Sequence, residues 1–392
     1  MAPDFFDEQL RSDDTIVFLH SGDGQGKSMV GRGIAQSVML DGKGTATFAS
    51  VDAFLAEAQG KVLGWMGYDL KNNIEKLGTR HPDKLGFPDL FLFTPLHLEE
   101  VHVPSPSAHP PDRAKTPQLK LKARRSREAY LRDIRLLQQH IQRGDIYEVN
   151  YCQEFYAENV HIDPVDVYRR LHALTQAPFS AFVHHNGAYL LCGSPERFLK
   201  KSGDVLLSQP IKGTVKRGAD AAEDEILRRG LAADEKERGE NIMITDLVRN
   251  DLARISVPGS VEVDELCGIY TFKTVHQMIS TVRSGAIPSI AFTDILKGTF
   301  PMGSMTGAPK VRAMELIDAT EAFARGLYSG SAGWIDGGDF DFNVVIRSIF
   351  WNRKTGYLSV RVGGAITALS DPEREYNECL LKADALFKAL GQ

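Results

Sequence analysis

The sequence predicts an α+β fold built on antiparallel β-sheets. Strand-like segments follow one another in hairpin order, and helical segments are interspersed among them. A parallel doubly wound sheet would instead need strict alternation of strand and helix. FSAFVHH-NG-AYLLCG (179–193) places Asn186-Gly187 between two apolar runs. That dipeptide is the strongest short hairpin signal, because both turn positions take positive φ.

The elements follow in chain order. TIVFLH (15–20) and KVLGWMGYDL (61–70) read as strands among Gly-containing turns. Five prolines in 104–119 exclude regular structure there. A helix follows, with Ser126 as its cap and Tyr130, Ile134, Leu137 and Ile141 on one face; Gly144 can end it. In 145–157, Tyr147, Val149, Tyr151 and Phe155 alternate onto one side of a strand. Residues 220–254 read as largely helical. DFNVVIRSIFW (341–351) and YLSVRVGGAI (357–366) read as two more strands. Ser370-Asp371-Pro372 opens a last helix running to about Leu390. These features divide the chain into an N-terminal β-rich segment (1–103) that packs on the main body, a Pro-rich linker or loop (104–124), and the main body (125–392).

Bulk properties exclude several classes. The 392 residues carry 43% apolar and 25% charged side chains, ordinary for a soluble globular protein. The net charge of −5 is spread along the chain. No basic stripe suggests nucleic acid, and no amphipathic basic tract or long apolar run suggests a membrane. The N-terminus lacks a secretory pattern. Cys152, Cys192, Cys267 and Cys379 are far apart and show no C-x-x-C spacing, so a reduced cytoplasmic protein is expected.

SGDGQGKS (21–28) resembles a phosphate-binding loop. The motif needs glycine six residues before the lysine, and Ser21 stands there. A flexible Gly-rich turn is the plainer reading; nucleotide binding predicts ATP affinity that Lys27→Ala removes.

Two helical segments carry acidic pairs. Glu237 and Glu240 are three apart, and Glu375, Glu378 and Lys382 form a row beside the stripe of Tyr376, Cys379, Leu380, Ala383 and Phe387. Four carboxylates meeting from two helices suit a hard cation such as Mg²⁺. Two solvated faces would give the same spacing. Lys212 lies between Pro210-Ile211 and Gly213-Thr214. An apolar flank would lower its pKa and free the amine as a nucleophile; a turn lysine pointing to water is the alternative.

GDIYEVN, SPERF (194–198), PIKGT (210–214), ENIMITDLVRNDLARI (240–255), FPMGSMTGAPK (300–310), YSG (328–330), FNVVIRS (342–348), VGGAI (362–366) and DPEREYNECLLKA (371–383) occur in one order. In that order they resemble the chorismate-utilising enzymes, a family that includes anthranilate, aminodeoxychorismate, isochorismate and salicylate synthases. The resemblance covers about 125–390. It implies two large antiparallel sheets packed together, helices outside, and the active site between the sheets. Residues 125–392 become the chorismate-binding catalytic domain. By the same resemblance Glu240 and Glu378 bind Mg²⁺, with Glu237 and Glu375 supporting through water. Arg347 and Tyr328 hold the enolpyruvyl carboxylate, with amides of Gly213, Gly363 and Gly364 and the Thr214 and Thr306 positions around it. Lys382 contributes electrostatically.

Three positions bear on the branch. PIKGT is the aminodeoxychorismate pattern, in which the lysine (Lys212) attacks ring carbon 2 and ammonia then attacks carbon 4. Glu196 is the implied general acid for the departing hydroxyl. Glu148 stands where water-adding members carry lysine and amine-forming members usually carry glutamine; a role in orienting ammonia or ammonium is one reading. Gln277 stands at the family's histidine position, with His276 one place earlier. Ala365 replaces a third glycine and narrows the backbone approach. No Cys–His–Glu glutaminase set is recognisable, so ammonia is expected from a separate glutamine amidotransferase subunit, and pyruvate release from a downstream aminodeoxychorismate lyase. The alternatives are an anthranilate synthase component I and, in another class, a catalytically inactive binding partner.

Overall fold

A computed structural model describes residues 5–11, 13–22, 24, 26–41, 44–103, 119–273 and 275–392. Most of the expected linker, 104–118, lies outside these residues. The chain opens with α1 (Phe5–Leu10), β1 (Thr15–His20), β2 (Ser28–Arg32), β3 (Gln36–Leu40), α2 (Phe48–Glu57), β4 (Val62–Met66), α3 (Lys71–Ile74), β5 (Leu90–Thr94) and β6 (His97–Val101). It continues through β7 (Lys122–Ala123), α4 (Arg127–Gln142), β8 (Glu148–Ala157), α5 (Pro164–Thr175), β9 (Phe179–His185), β10 (Ala188–Ser194), β11 (Arg197–Ser202), β12 (Val205–Gln209) and β13 (Ile211–Lys216). Next come α6 (Ala221–Ala233), α7 (Glu235–Ala253), β14 (Glu262–Thr271), β15 (Val275–Gly285) and α8 (Phe292–Thr299). The last elements are β16 (Gly307–Ala308), α9 (Lys310–Thr320), β17 (Ser331–Asp336), β18 (Asp339–Asn343), β19 (Ser348–Asn352), β20 (Tyr357–Ile366) and α10 (Pro372–Ala389).

The strands form two ten-stranded antiparallel sheets. One runs β16-β8-β20-β19-β10-β9-β1-β2-β6, with β7 on β8; the other runs β13-β15-β12-β11-β18-β17-β4-β5-β3, with β14 on β15. Strands from the first hundred residues therefore extend both sheets. A core that includes Val17, Val183, Leu190, Trp65, Leu92, Phe342 and Tyr328 lies between them. A second core packs the first sheet against α4, α5, α9 and α10 through Tyr130, Ile134, Leu171, Met314, Val360 and Leu386. With helices on one face and a second sheet on the other, β8 is buried on both sides, from Glu148 to Phe155.

The Asn186-Gly187 turn joins β9 to β10, with His185 opposite Ala188. Ser126 caps α4 by accepting the Ala129 amide at 3.2 Å. Three expectations need correction. Tyr147 precedes β8 and is 66% exposed, while Val149, Tyr151 and Phe155 are buried. Segment 61–70 is a strand only to Met66, after which a 3-10 turn takes Tyr68–Leu70. Segment 341–351 is two strands in different sheets, β18 and β19, because the chain crosses between sheets at 344–347. A continuous apolar run hid that crossing.

The Gly26-Lys27-Ser28 turn leads into β2, not into a helix. Lys27 pairs with Glu100 at 2.9 Å on the surface. A phosphate there would lack the helix N-terminus that a P-loop supplies.

Candidate active site

The site grows from the places where the chain changes sheet. Residues 195–196 carry it from β10 to β11, and 344–347 carry it back from β18 to β19. The two crossings are tied together, since the Val344 amide donates to the Glu196 carbonyl and the Gly193 amide to the Arg347 carbonyl, both at 3.0 Å. Tyr328 precedes a third strand start in the same seam, where the Ser329 amide donates to Val345 at 3.0 Å. The fold thereby gathers Glu196, Arg347 and Tyr328.

Glu196 is buried, beside a cleft lined by Phe198, Pro210, Val248, Met302 and Ser304. Burial pushes its carboxyl up to about 7, against weaker pulls from the Ser304 hydroxyl and the Lys212 ammonium. A carboxyl with its pKa pushed toward neutrality can hold a proton and give it up at that pH, a property suited to general-acid chemistry. Arg347 sits at φ +51°, a left-handed backbone forced by the crossing. Burial lowers its pKa, and no carboxylate among the described residues stands within 4 Å of it. An unpaired, partly buried guanidinium is a docking point for a ligand carboxylate. Tyr328 is 2% exposed, with its hydroxyl 3.9 Å from the Cys152 sulfur.

Lys212 lies in β13 beside a register shift against β15. Its ammonium is 3.3 Å from Glu148 Oε1. Burial opposes its charge, but Glu148, Glu240 and Glu196 outweigh burial and raise its pKa. The expectation of an apolar flank that lowers the pKa is thus corrected: Lys212 stands in a nest of carboxylates. It does not point into water, for its side chain is 12% exposed.

Two helix caps aim the acidic residues. Asp234 ends α6 and caps α7 by accepting the Glu237 amide at 3.0 Å, which places Glu237 and Glu240 in its first two turns. Asp371 caps α10 by accepting the Arg374 amide at 2.9 Å, with Pro372 at its start, and this sets Glu375 and Glu378. The two helices face each other. Lys236 bridges them, 3.5 Å from Glu240 and 3.2 Å from Glu375. Lys382 pairs with Glu378 at 2.6 Å and donates to the Gly363 carbonyl at 2.9 Å. Burial and the like charge of Glu240 push Glu237 up to about 7. Burial also raises Glu240 and Glu375, whereas Lys382 lowers Glu378. Glu240 Oε1 is buried and accepts no hydrogen bond among the described residues, its nearest cation being the Lys236 ammonium at 3.5 Å. Among the described residues no three acidic, histidine or cysteine side chains close into a ready-made cage. The carboxylates surround lysine ammoniums instead.

Glycines set how closely these pieces approach. A Cβ on Gly364 would stand 3.3 Å from Glu375 and 3.7 Å from Glu378. Gly213, at φ +88°, would meet Glu237 at 3.2 Å. Gly363 is needed for another reason, since a Cβ there would collide with the Cys152 sulfur at 2.5 Å. Thr214 is opposite Gln277 across β13 and β15. His276 is engaged on the α6 side, 2.9 Å from both Asp224 and Thr271. The adjacent Gln277 side chain leaves the strand on the other face. No described hydrogen bond joins Gln277 to Lys212, Glu148 or Glu196. Thr306 turns its hydroxyl inward, donating to the carbonyls of Met302 and Gly303 at 3.2 Å, so it fixes the loop. All four cysteines are free and buried. Burial pushes Cys192 and Cys379 up to about 11.

Residues 15–388 match the model of the chorismate binding enzyme family. The chain belongs to that family. Among similar proteins, a probable chloroplastic aminodeoxychorismate synthase of Oryza sativa subsp. japonica is 43% identical over 272 residues, covering 68% of this chain and 30% of that protein. Aminodeoxychorismate synthase component 1 of Klebsiella aerogenes is 36% identical over 353 residues, covering 84% and 77%. Anthranilate synthase component 1 of Thermus thermophilus is 34% identical over 360 residues, with the same coverages. The chain spans only about a third of the plant and Streptomyces relatives' length. The crystal structure of anthranilate synthase component I from Streptococcus pneumoniae superposes with a TM-score of 0.76 at 25% identity, covering 91% of each chain. The menaquinone-specific isochorismate synthase of Escherichia coli shares the fold, with a TM-score of 0.78 at 18% identity, covering 100% of this chain and 92% of that one.

In this member of the chorismate binding enzyme family, Lys236 is a residue of the α7–α10 contact that sequence reasoning missed. Its signal was present, as a lysine one turn before Glu240.

Proposed function

We propose that the chain is an aminodeoxychorismate synthase component I, aminating chorismate at ring carbon 4 to give 4-amino-4-deoxychorismate for 4-aminobenzoate and folate synthesis. The observation that carries this reading is a buried lysine, Lys212, in the same pocket as a carboxyl acid, Glu196, poised near neutrality. In this reading the Lys212 amine forms a bond to carbon 2 while the ring double bonds shift and the carbon-4 hydroxyl leaves. Glu196 delivers the proton that makes the leaving group water. Ammonia then bonds to carbon 4 and the lysine departs from carbon 2, so one difficult displacement becomes two easier ones.

Arg347 and Tyr328 take the enolpyruvyl carboxylate, and the amides of Gly213, Gly363 and Gly364 with Thr214 line the approach. Thr306 shapes the loop beneath. Gln277 stands in for the family's histidine. Mg²⁺ held by Glu240 and Glu378, with Glu237 and Glu375 through water, would neutralise the ring carboxylate and favour departure of the hydroxyl. The oxygen-only donors, and a Glu240 oxygen met only by the Lys236 ammonium at 3.5 Å, fit such an ion, which keeps several waters and binds open sites. Lys382 supports the same charge balance. Ammonia comes from a separate glutamine amidotransferase subunit, and an aminodeoxychorismate lyase releases pyruvate afterwards. We place the chain in the cytoplasm; its free cysteines fit a reducing compartment, and no described helix is long and apolar enough to cross a membrane.

The likeness to Thermus thermophilus anthranilate synthase component 1 favours one second reading, direct formation of anthranilate. Incubation with chorismate, Mg²⁺ and ammonium, followed by mass analysis of the products, separates them. An amino intermediate that needs added lyase supports the proposal, and Lys212→Ala abolishes it. Anthranilate made directly by the purified chain overturns it.

A further inference from the structure

Glu148 opens β8 beside β16, and its side chain is 1% exposed. Its Oε1 lies 3.3 Å from the Lys212 ammonium. Its Oε2 is buried and accepts no hydrogen bond among the described residues. A buried carboxylate oxygen without a donor is costly, and native sites keep such atoms where something arrives. The charged groups facing this pair are Glu196, from the β10–β11 junction, Glu240, from α7, and Glu378, from α10, all interacting with Lys212. No second cation stands within 4 Å of Glu148 among the described residues. Lys212 cannot attack carbon while it holds its third proton, and the surrounding carboxylates favour that proton. The pocket therefore needs a nearby acceptor.

We propose that Glu148 is the base that takes the proton from Lys212 and stores it until the lysine is expelled. The inference rests on the covalent reading of Lys212. An N–H bond of the ammonium breaks and an O–H bond forms on Glu148. The freed electron pair makes the bond to ring carbon 2, the ring double bonds shift, and the carbon-4 oxygen leaves as water with the proton of Glu196. When ammonia bonds to carbon 4, the electron pair of the carbon 2–nitrogen bond returns to Lys212 as a neutral amine. Glu148 then hands back its proton. Ammonium entering as the nitrogen source loses one proton to Glu196 before attack, which closes the cycle. Substrate that seals the pocket from water favours the neutral amine–acid pair over the separated charges. The glutamine that the family resemblance leads one to expect at 148 could hold the lysine but not accept its proton.

The test is formation of the lysine adduct without ammonium. Full-length wild type and Glu148→Gln are mixed with chorismate and Mg²⁺, quenched at intervals, and weighed intact for addition of chorismate less water. At about pH 7.5 the variant forms adduct about 100-fold more slowly, and its deficit relative to wild type shrinks about tenfold per pH unit as hydroxide replaces the missing base, because loss of the Glu196 proton slows both proteins alike. Calorimetry shows whether the variant still binds chorismate. If it does not, Glu148→Gly with and without formate decides, because a small carboxylate restores the base and chloride does not. Adduct formation in Glu148→Gln within about threefold of wild type, with an unchanged pH profile, overturns the role of Glu148 alone. So does failure of formate to rescue the glycine variant. Product formed by wild type with no adduct at any time defeats the covalent reading, and this inference with it.

Discussion

Replacing Glu196 by glutamine should cut turnover sharply and stabilise the protein, by an amount that grows as pH rises from about 4 to about 7. The carboxyl titrates at about 7 because it is buried. An unfolded glutamate titrates near 4.3, so the folded state prefers the neutral acid by nearly three pKa units, or about 3–4 kcal/mol. The sign follows directly. A raised acid costs nothing below the unfolded pKa. The penalty grows as pH climbs from about 4.3 and saturates above about 7. Neutral glutamine escapes it, apart from its own hydrogen-bonding needs. Chemical denaturation of wild type and Glu196→Gln at about pH 5 should differ by roughly 1 kcal/mol, and at about pH 8.5 by roughly 3 kcal/mol in favour of the variant. Turnover with chorismate, Mg²⁺ and ammonium should fall by about 10²–10⁴ in the variant. In wild type, turnover should decline as pH rises through 7 and the acid is lost. Equal stability gaps at both pH values would refute the desolvated-acid argument. Undiminished turnover would refute the catalytic one.

Arg347→Ala should raise the KM for chorismate by about 10–100-fold with a smaller change in kcat, because it removes an unpaired guanidinium worth about 1.5–3 kcal/mol to a carboxylate; steady-state kinetics read this. Gly364→Ala places a methyl 3.3 Å from Glu375 and should weaken Mg²⁺ binding by several-fold in calorimetry without unfolding the chain. Glu154→Gln should destabilise the fold by about 3–5 kcal/mol in urea, since Glu154 balances the buried Arg361 at 3.0 Å and Arg124 at 2.9 Å. Burial opposes the Glu154 charge, but Arg361 and Arg124 outweigh it and lower the pKa. Its contribution is therefore present above the ordinary carboxylate range and lost as pH falls through the lowered value, so wild type and variant should converge in acid.

Most of the fold was legible because hairpin turns and caps are local. Asn186-Gly187, Ser126, and Asp371-Pro372 each specify their turn or helix start within a few residues. The crossing at 344–347 was not legible. Val344 and Val345 are as apolar as the strands on either side, and only the partner sheet reveals that β18 and β19 part there. Tyr147 was misplaced because alternation cannot say where pairing begins. At the site, helical spacing placed both acidic pairs, yet it could not show that α7 and α10 face each other. The surroundings of Lys212 misled more deeply. Pro210 and Ile211 are apolar neighbours in sequence, but the groups that set its charge come from positions 148, 196 and 240. A pKa is decided by what is near in space.

The charges of the pocket can be weighed together. Glu148, Glu196, Glu237, Glu240, Glu375 and Glu378 oppose Lys212, Lys236, Lys382 and Arg347, so six acids against four bases leave −2 when all are ionised. Two of the acids, Glu196 and Glu237, have pKa values pushed up to about 7, which brings the resting pocket toward neutrality near that pH. Chorismate adds two carboxylates. Binding a dianion beside so many acids would be repulsive unless positive charge came with it. In the proposed arrangement Arg347 meets one carboxylate. The other must sit near the α7–α10 pair, where every fixed cation is already committed to a glutamate, Lys236 to Glu240 and Glu375 and Lys382 to Glu378. A divalent ion is the simplest supply of the missing charge, and it would have to displace or share the place of Lys236. Magnesium affinity should then rise in Lys236→Met, because the internal competitor is gone while the carboxylates remain. Calorimetric titration of the variant with Mg²⁺ that showed weaker binding than wild type would mean that Lys236 assists the ion, and the charge argument would fail.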